Sequence, residues 1–519
     1  MNQTEAYYHK MTTTPVARLI IALGIPTTVS MLITSVYNMA DTYFVGALGE
    51  SQQAATGILF TLQAIIQAIA FMLGQGSGTL VSKSLADKDT KGASAYVSSA
   101  FFAGGAMGVL LAIVGLCTLN PFLRLLGSTD TILPYARQYG FWVLVAAPFV
   151  IGSFVLNNNL RYEGKSFYAM IGIGSGGIIN IFGDYLFIRV CSLGVFGAGM
   201  ATAISQLISF GLLLYFHEKK AQASIRLSCI SRRARLYGEV CRLGFPALIR
   251  QGLSSIGNGL LNNLTKPHGD AAIAAMSVVQ RFANFIMCVG LGIGQGFQPV
   301  ASYNHQAKKY RRVKQGLVVT MVIGAALISC IALPAFIMAE DIVRLFQKSP
   351  EVIEIGAYAL RWSSIGVMFL SLSVPVNMLY QSIRRPELSS FLSMLRSGLA
   401  FIPVLLLTTN LWRLRGVQIS QPIADILTGL ISVPWQLRGV QIFQPIADIL
   451  TGLISIPWQL RDVQISQPIA DILTGLISIP WQLRGVQISQ PIADILTGLI
   501  SVPFIVHYLV KTPGEDVPD

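Results

Sequence analysis

Two carboxylates of this 519-residue chain lie inside apolar stretches, where they could hold a cation. Asp41 is near the far end of ALGIPTTVSMLITSVYNMADTYFVGALG, residues 22–49, which is long enough to cross a bilayer. Asp184 lies in another apolar stretch, four residues after Asn180, so these two side chains share one face of a helix. A carboxylate within a membrane span is costly and usually faces a cavity that carries an ion or a substrate.

Amide and hydroxyl side chains accompany these acids in the N-terminal half of the chain. They are Tyr37, Asn38, Thr42, Asn157, Asn158, Asn159, Asn180 and Thr202. Two carboxylates with such neighbours around one cavity predict a cation site. Oxygen ligands would suit Na+, and a buried carboxyl group can instead carry H+. Asn158 and Asn159 could equally serve to cap the end of a helix.

Simpler interpretations of both acids remain open. Asp41 could lie at the membrane edge in water, since residues 43–48 add little apolar length beyond it. Asp184 could pair with Arg189 near the membrane surface. Pro26, near the start of the first span, would kink that helix, which membrane helices tolerate when neighbouring groups satisfy the freed carbonyl.

The composition is that of a multi-pass membrane protein. The chain is 53% hydrophobic and 12% charged, about half the charge fraction of a soluble protein. Spans of sufficient length are predicted at 17–41, 53–75, 94–119, 133–156, 166–188, 195–216, 241–264, 271–297, 315–338, 352–378 and 388–411, with one more beyond 415. We therefore expect an all-α fold of about twelve transmembrane helices. No cleavable signal peptide is visible at the N-terminus.

Basic residues concentrate in alternate loops, at 83–91, 161–165, 219–235, 308–314 and 384–385. This bias places those loops and the N-terminus in the cytoplasm, so the net charge of +13 does not indicate nucleic-acid binding. We expect a multi-pass protein of the cell membrane that is a monomer in the bilayer.

The two halves of the chain are related by an offset of 220 residues. Gly24-Ile25-Pro26 aligns with Gly244-Phe245-Pro246, and Gly74-Gln75-Gly76 aligns with Gly294-Gln295-Gly296 without a gap. Each half holds six spans, so the repeats share one topology and are related by an axis along the membrane normal. The predicted units are an N-lobe at 1–216, a linker at 217–240 and a C-lobe at 241–434.

The C-terminal half differs from the first half in its charges. It has no acid within a span between 241 and 411, and its intramembrane charges are Arg250, Arg281, Arg361 and Arg396. These arginines could snorkel to an interface or pair with helix ends or acidic lipids. We find no nucleophile–base pair, nucleotide motif or metal-ligand spacing, and the six scattered cysteines have no disulfide framework. Neither an enzyme nor a metal centre is predicted.

Several motifs resemble those of the multidrug and toxic compound extrusion (MATE) transporters, nearest to the bacterial branch of DinF and MepA. They are MLITSVYNMADTYFVGALG at 31–49, FTLQAIIQAIAFMLGQGSG at 60–78, GIINIFGDYLFI at 177–188, GVFGAGMATAISQ at 194–206 and GDAAIAAMSVVQRF at 269–282. The resemblance covers almost all of 15–411. It implies two six-helix lobes in a V shape and export of organic cations driven by inward H+ or Na+.

The same resemblance implies roles for particular residues. Asp41 and Asp184 would couple the ion, and Tyr37, Asn157, Asn180 and Thr202 would form their polar network, with Asn38 beside them. No cofactor is implied other than the coupling ion, and the partners would be organic substrates and the lipid bilayer. Two alternatives stay open: a flippase for lipid-linked precursors within the same wider superfamily, and a non-functional variant damaged at its C-terminus.

The C-terminus repeats itself with a period of 23 residues. WRLRGVQISQPIADILTGLISVP begins at Trp412, and near-identical copies begin at Trp435, Trp458 and Trp481. The three extra copies occupy 435–503, followed by a tail at 504–519. Each copy is long enough to span once but leaves few residues for a turn. We expect one copy to supply the twelfth helix and the others to lie at the membrane surface or pack irregularly, with the Asp of each copy capping a helix start.

This arrangement predicts that the C-terminal tail is cytoplasmic, because twelve spans return the chain to the side of its N-terminus. In intact cells, Asp519→Cys should react no more with a membrane-impermeant maleimide than the parent chain does. Lysed cells provide the positive control. Labelling from outside would contradict this arrangement, because it requires an odd number of spans, as when all four copies cross and give fifteen.

Overall fold

The computed structural model describes residues 3–346 and 349–437, and helices make up nearly all of them. Those of the N-terminal half are α1 Gln3–Thr13, α2 Val16–Gly46, α3 Glu50–Ala86, α4 Thr90–Cys117, α5 Leu119–Leu125, α6 Leu133–Tyr162, α7 Ser166–Asp184 and α8 Gly194–Lys220. Those of the C-terminal half are α9 Ala234–Thr265, α10 Asp270–Gln306, α11 Tyr310–Ile337, α12 Ala339–Phe346, α13 Pro350–Met368, α14 Leu370–Ser382, α15 Pro386–Met394, α16 Phe401–Trp412 and α17 Leu414–Leu437. Two π-helical turns, Tyr185–Val190 and Leu395–Leu399, continue α7 and α15.

Most of the predicted spans satisfy a test of length and apolar composition. Within the described ranges, nine helical segments pass it singly, and α13 with α14, bent by 43°, makes a tenth. α9 is less apolar than these segments, because it contains the charged residues Arg235, Glu239, Arg242 and Arg250. Neither α9 nor α17, which supplies the twelfth position, is among the segments that pass the test. Both still pack as lobe helices, α9 against α3 and α15, and α17 against α13 and α16.

Each lobe has an apolar core of its own. In the N-lobe, side chains from α3, α4 and α6 pack together around Leu59, Ile66 and Ile151, all at most 2% exposed. In the C-lobe, Ile286, Ile328 and Met378 form the centre of a smaller cluster. Large apolar side chains such as Phe182 and Leu110 remain exposed on the outside of the bundle, as expected where lipid rather than water surrounds the helices.

The lobes touch through two glycine pairs that the sequence repeat relates to one another. A Cβ atom on Gly296 would lie 2.4 Å from the Cα atom of Gly24, and one on Gly76 would lie 3.0 Å from the backbone nitrogen of Gly244. Gly24 and Gly244 are equivalent under the 220-residue offset, and so are Gly76 and Gly296. The contacts α2–α10 and α9–α3 are thus pseudo-symmetric, and we call them the glycine seal.

The glycine seal lies toward the end of the molecule that carries the basic loops, and the N-terminal helix reinforces it there. Tyr7 and Met11 of α1 join a cluster of buried side chains contributed by both lobes. Asn304 donates a hydrogen bond of 3.1 Å to the carbonyl of Met11, and Arg312 donates one of 2.5 Å to the carbonyl of Thr14. Between the lobes, Gln306 donates a bond of 2.7 Å to Asp87. The two halves are therefore joined at this end.

The linker between the lobes is shorter than the predicted 217–240, because α8 and α9 extend into it and leave 221–233. Glu163, just beyond the end of α6, fixes its start. The carboxylate accepts backbone hydrogen bonds of 2.5 Å from Gln222 and 3.2 Å from Ala223. Glu163 is completely buried, and burial raises its pKa to about 7.

The first repeat copy forms α17, as expected of a twelfth helix. The predicted capping role is wrong for its acid, Asp425, which lies twelve residues into the helix and is 2% exposed. The helix begins at Leu414, well before Asp425, because the backbone turns at Arg413, whose φ is 50°. α17 also includes the first three residues of the second copy, 435–437, while the rest of that copy, the later copies and the tail lie outside the described residues.

The glycine seal predicts a steric effect of a single methyl group. Gly76→Ala would place a Cβ atom 2.0 Å from the carbonyl oxygen of Val240. Overpacking of this kind costs about 1–3 kcal/mol, so the thermal unfolding midpoint of the purified protein should fall. Gly57→Ala is the matched control in the same helix, because nothing lies within 4 Å of its Cβ position. Equal midpoints in the two variants would contradict the close packing.

Glu163 predicts a dependence of stability on pH. Its pKa in the folded protein, about 7, exceeds the ordinary value of 4.5, so the folded state binds the extra proton. Its contribution to stability is full below about pH 4.5 and is lost as the pH rises through about 7. The unfolding midpoint of Glu163→Gln, which stays neutral, should therefore rise relative to the parent between pH 5 and pH 8. A constant difference would show that Glu163 titrates normally.

Candidate functional site

The N-lobe encloses a polar cavity between five helices. Its volume is about 530 Å³, counting the space that opens to solvent. Its walls are formed by Tyr37, Asn38 and Asp41 of α2; Gln63, Ile66 and Gln67 of α3; Tyr139, Val143, Ala146, Val150 and Phe154 of α6; Asn180 of α7; and Thr202 and Gln206 of α8. Asp41 is its one charged lining residue. The cavity therefore has the chemistry of a site for a cation or a proton.

A chain of hydroxyl and amide groups connects Asp41 to the opposite wall of the cavity. Tyr139 donates a hydrogen bond of 2.9 Å to Oδ2 of Asp41, and the Tyr139 hydroxyl lies 3.4 Å from Oγ1 of Thr202. Asn180 donates from Nδ2 to the same Thr202 oxygen at 3.3 Å. Four residues from four helices thus form one network. A change in the charge of Asp41 therefore alters the hydrogen bonds of side chains on α6, α7 and α8.

Asp184 lies beside this network without being hydrogen-bonded to it. The residue is fully buried, and among the described residues neither of its carboxylate oxygens has a hydrogen-bond partner. It is close enough to Asp41 and Tyr139 to interact with both electrostatically. The alternative pairing with Arg189 is not formed. A buried carboxylate needs a proton, a cation or a donor to offset its desolvation, so Asp184 is a position that a coupling ion could occupy.

Two further oxygen atoms are open for a ligand. Oδ1 of Asp41 and Oδ1 of Asn180 are buried and have no partner among the described residues. Together with the Asp184 carboxylate, they provide oxygen atoms from α2 and α7, which pack directly on one another. Such an oxygen-rich site suits a hard cation or a shared proton better than an anion.

Local structure positions these side chains. Tyr37 precedes Asp41 by one turn of α2. Its ring packs against Gly177 of α7, where a Cβ atom would lie 3.0 Å from the Tyr37 ring, so glycine allows the two helices to approach. Asp184 is the last residue of α7 before the π-helical turn Tyr185–Val190. π-Helical turns occur frequently at functional sites, because they redirect side chains within a continuous helix.

The predicted site residues are not all brought together. Tyr37, Asn38, Asp41, Asn180 and Thr202 line the cavity, and Asp184 lies next to it. Asn157 does not line it. Its Nδ2 donates to the carbonyl of Ala169 at 3.1 Å and ties α6 to α7. Asn157 is three residues beyond Phe154, the last residue of α6 that lines the cavity, so it lies at the edge of the site.

Sequence reasoning missed the central donor of the network. Tyr139 is 2% exposed and connects Asp41 with Thr202, yet in the sequence it is one aromatic residue among many. Gln63, Gln67 and Gln206 were also missed, although an amide within an apolar span is a usable signal. All three face the cavity.

The MatE family model matches this chain twice, at 26–186 and at 246–406. The two segments make up more than half of the chain, and both bounds of the second lie 220 positions after those of the first. The internal repeat inferred from the sequence is therefore also the repeat of the family.

Curated relatives and solved structures agree with this match. The multidrug export protein MepA of Staphylococcus saprophyticus is 24% identical over 435 residues, covering 83% of this chain and 96% of that protein. MepA of Staphylococcus aureus strain MSSA476 is 25% identical over the same length and coverage. A MATE structure in complex with MaL6 has a TM-score of 0.78 at 21% identity, covering 86% of this chain and 99% of the other.

A second solved structure, described as the outward-facing conformation of a multidrug resistance MATE family transporter of the MOP superfamily, has a TM-score of 0.78 at 21% identity, covering 86% of this chain and 98% of the other. These neighbours confirm the predicted all-α fold of two six-helix lobes. The repeated family match and the fold together show that this chain is a multi-pass membrane transporter, not an enzyme, and that it belongs to the MatE family, the MATE transporters that its motifs resemble.

Proposed function

We propose that this protein is a secondary active antiporter that exports organic cations in exchange for H+ or Na+. The observation that carries the proposal is the N-lobe cavity, where Asp41 is held by Tyr139 while Asp184 stays buried without a partner. An ion and a cationic substrate would compete for these carboxylates. Competition for one site is sufficient to couple the import of one to the export of the other.

The substrate class follows from the walls of the cavity and from the relatives. Phe154, Val150 and Ile66 offer apolar surface, while Gln63 and Gln67 offer amide groups beside the carboxylate. Such a lining suits amphipathic compounds with a positive charge as substrates. The relatives that match most of the chain are called multidrug export proteins, which supports a broad substrate range.

Helix α2 would couple ion binding to opening of the lobes. It carries Asp41 in the cavity and Gly24 in the glycine seal. Pro26 lies between them within the continuous helix, and its carbonyl accepts a bond of 3.0 Å from Ser30. A proline leaves one backbone hydrogen bond unmade, so the helix bends most readily there. Neutralising Asp41 would change the tilt of α2 at Pro26 and loosen the seal.

The energy for this change is the difference in ion affinity between the two states. With the basic loops in the cytoplasm, the glycine seal would close the cytoplasmic end of the transporter. The space between the lobes would then open to the outside. The ion would then bind from outside, displace the substrate and favour the inward-opening state. The protein would act as a monomer in the inner membrane.

The proposal predicts that Asp41→Asn abolishes export, because the amide can neither release a proton nor attract a cation. Ethidium efflux from cells expressing the full chain should fall by about tenfold or more, the effect of losing roughly 1.4 kcal/mol or more of ion coupling. Asp130→Asn is the matched control, since Asp130 is an exposed acid that pairs with Arg124 in the same lobe. Its efflux should equal that of the parent.

Two conditions identify the coupling ion in the same assay. Efflux that stops when the proton gradient is collapsed but survives replacement of Na+ indicates H+ coupling, and the reverse indicates Na+. Asp41→Asn protein that reaches the membrane and exports ethidium at the parental rate would refute the coupling role of this residue.

A further inference from the structure

The C-lobe contains a second cavity at the position equivalent to the first. Its volume is about 840 Å³, counting the space that opens to solvent. The 220-residue offset carries Tyr37, Asn38 and Asp41 onto Gly257, Asn258 and Leu261, and all three of these line the second cavity. The two lobes therefore present equivalent cavities, each within or near the size range of small-molecule sites.

The second cavity has a different set of charged residues from the first. The position of Asp41 is taken by an apolar residue, Leu261. Its wall contains Arg396, which lies in the π-helical turn Leu395–Leu399. Nε of Arg396 donates to Oδ1 of Asp425 at 2.9 Å, and these side chains are 14% and 3% exposed. This pair is neutral as a whole, so any further charge decides the potential inside.

Arg250 provides that further charge. It precedes the lining residue Ser254 by one turn of α9, so it lies on the same face at one end of the cavity. Its Nη1 atom is buried and has no hydrogen-bond partner among the described residues. Its charged neighbours are Arg396 and Arg161, both of the same sign. Arg161 is itself bound by the neutral side chains of Asn158 and Gln295.

This region therefore holds an excess of positive charge. Three arginines, Arg161, Arg250 and Arg396, are offset by one acid, Asp425. Buried charges are normally paired, because leaving water without a partner is costly. Guanidinium groups bind carboxylates and phosphates through two parallel hydrogen bonds. The amide Nε2 of Gln280, also lining the cavity, is a further buried donor without a partner among the described residues.

We propose that the C-lobe cavity is a second ligand site, which binds the anionic group, a carboxylate or a phosphate, of an amphipathic organic molecule. Arg250 and Arg396 contact the anion and Gln280 donates to it. Met276, Met287 and Phe401 contact the apolar part of the molecule. Cation exchange at Asp41 does not require this site, so the site goes beyond the proposed function.

Binding can be measured on the full chain in nanodiscs of uncharged phosphatidylcholine by isothermal titration calorimetry. The probes are 1-naphthylacetate, 1-naphthyl phosphate and the uncharged 1-naphthaleneethanol, which share one ring system. We expect at least one anionic probe to bind about tenfold or more tightly than the alcohol, as for a hydrogen-bonded charge. The tighter anion distinguishes a site for organic carboxylates from one for lipid-type phosphates.

Arg250→Gln should abolish the preference for the anionic probe. Arg361→Gln is the matched control, because Arg361 of the same lobe pairs with Glu340 at 2.9 Å and does not line the cavity. Its affinity should equal that of the parent. Asp41→Asn should lose ethidium efflux yet keep anion binding, so the two proposals can fail separately.

A second variant tests the site by a gain of affinity, which misfolding cannot mimic. Asp425→Asn keeps an acceptor for Arg396 but removes the competing negative charge, so the anionic probe should bind several-fold more tightly. Equal affinities for all three probes in the parent, unchanged anion binding in folded Arg250→Gln, or no gain in Asp425→Asn would each overturn the proposal.

Discussion

The architecture depends on close backbone contact between the lobes, which only glycine permits. Gly24 meets Gly296 and Gly244 meets Gly76, so two pseudo-symmetric helix crossings bring the backbones of the two halves into direct contact. In a bilayer, lipid is as apolar as leucine, and helix association relies on such close van der Waals contact.

The helices that make this joint also form the cavities. α2 carries Gly24 and Asp41, and α9 carries Gly244 and the lining residue Asn258. A change of tilt in either helix therefore moves a cavity wall and a lobe contact together. This sharing explains how events within one lobe can reach the interface without a separate signalling element.

The two lobes present cavities at equivalent positions that differ in their charged residues. The N-lobe retains Asp41 and a buried Asp184, while the C-lobe has Leu261 at the equivalent position and gathers Arg250 and Arg396. The acid that pairs with Arg396 comes from α17, the first copy of the C-terminal repeat. The repeated segment therefore contributes to the electrostatics of the C-lobe in addition to filling the twelfth helix position.

The amino-acid sequence predicted the spans, the repeat and most of the residues around the N-lobe cavity. Spans follow from apolar length, the repeat from a constant offset of 220, and Asp41 with Asp184 from the cost of a carboxylate in hydrocarbon. The packing of the helices showed that Tyr139 donates to Asp41, that Asn157 bonds to the Ala169 carbonyl instead of lining the cavity, and that Asp425 pairs with Arg396 instead of capping a helix. The physical reason is that helix periodicity gives a residue its face, whereas its partner depends on how separate helices rotate and pack.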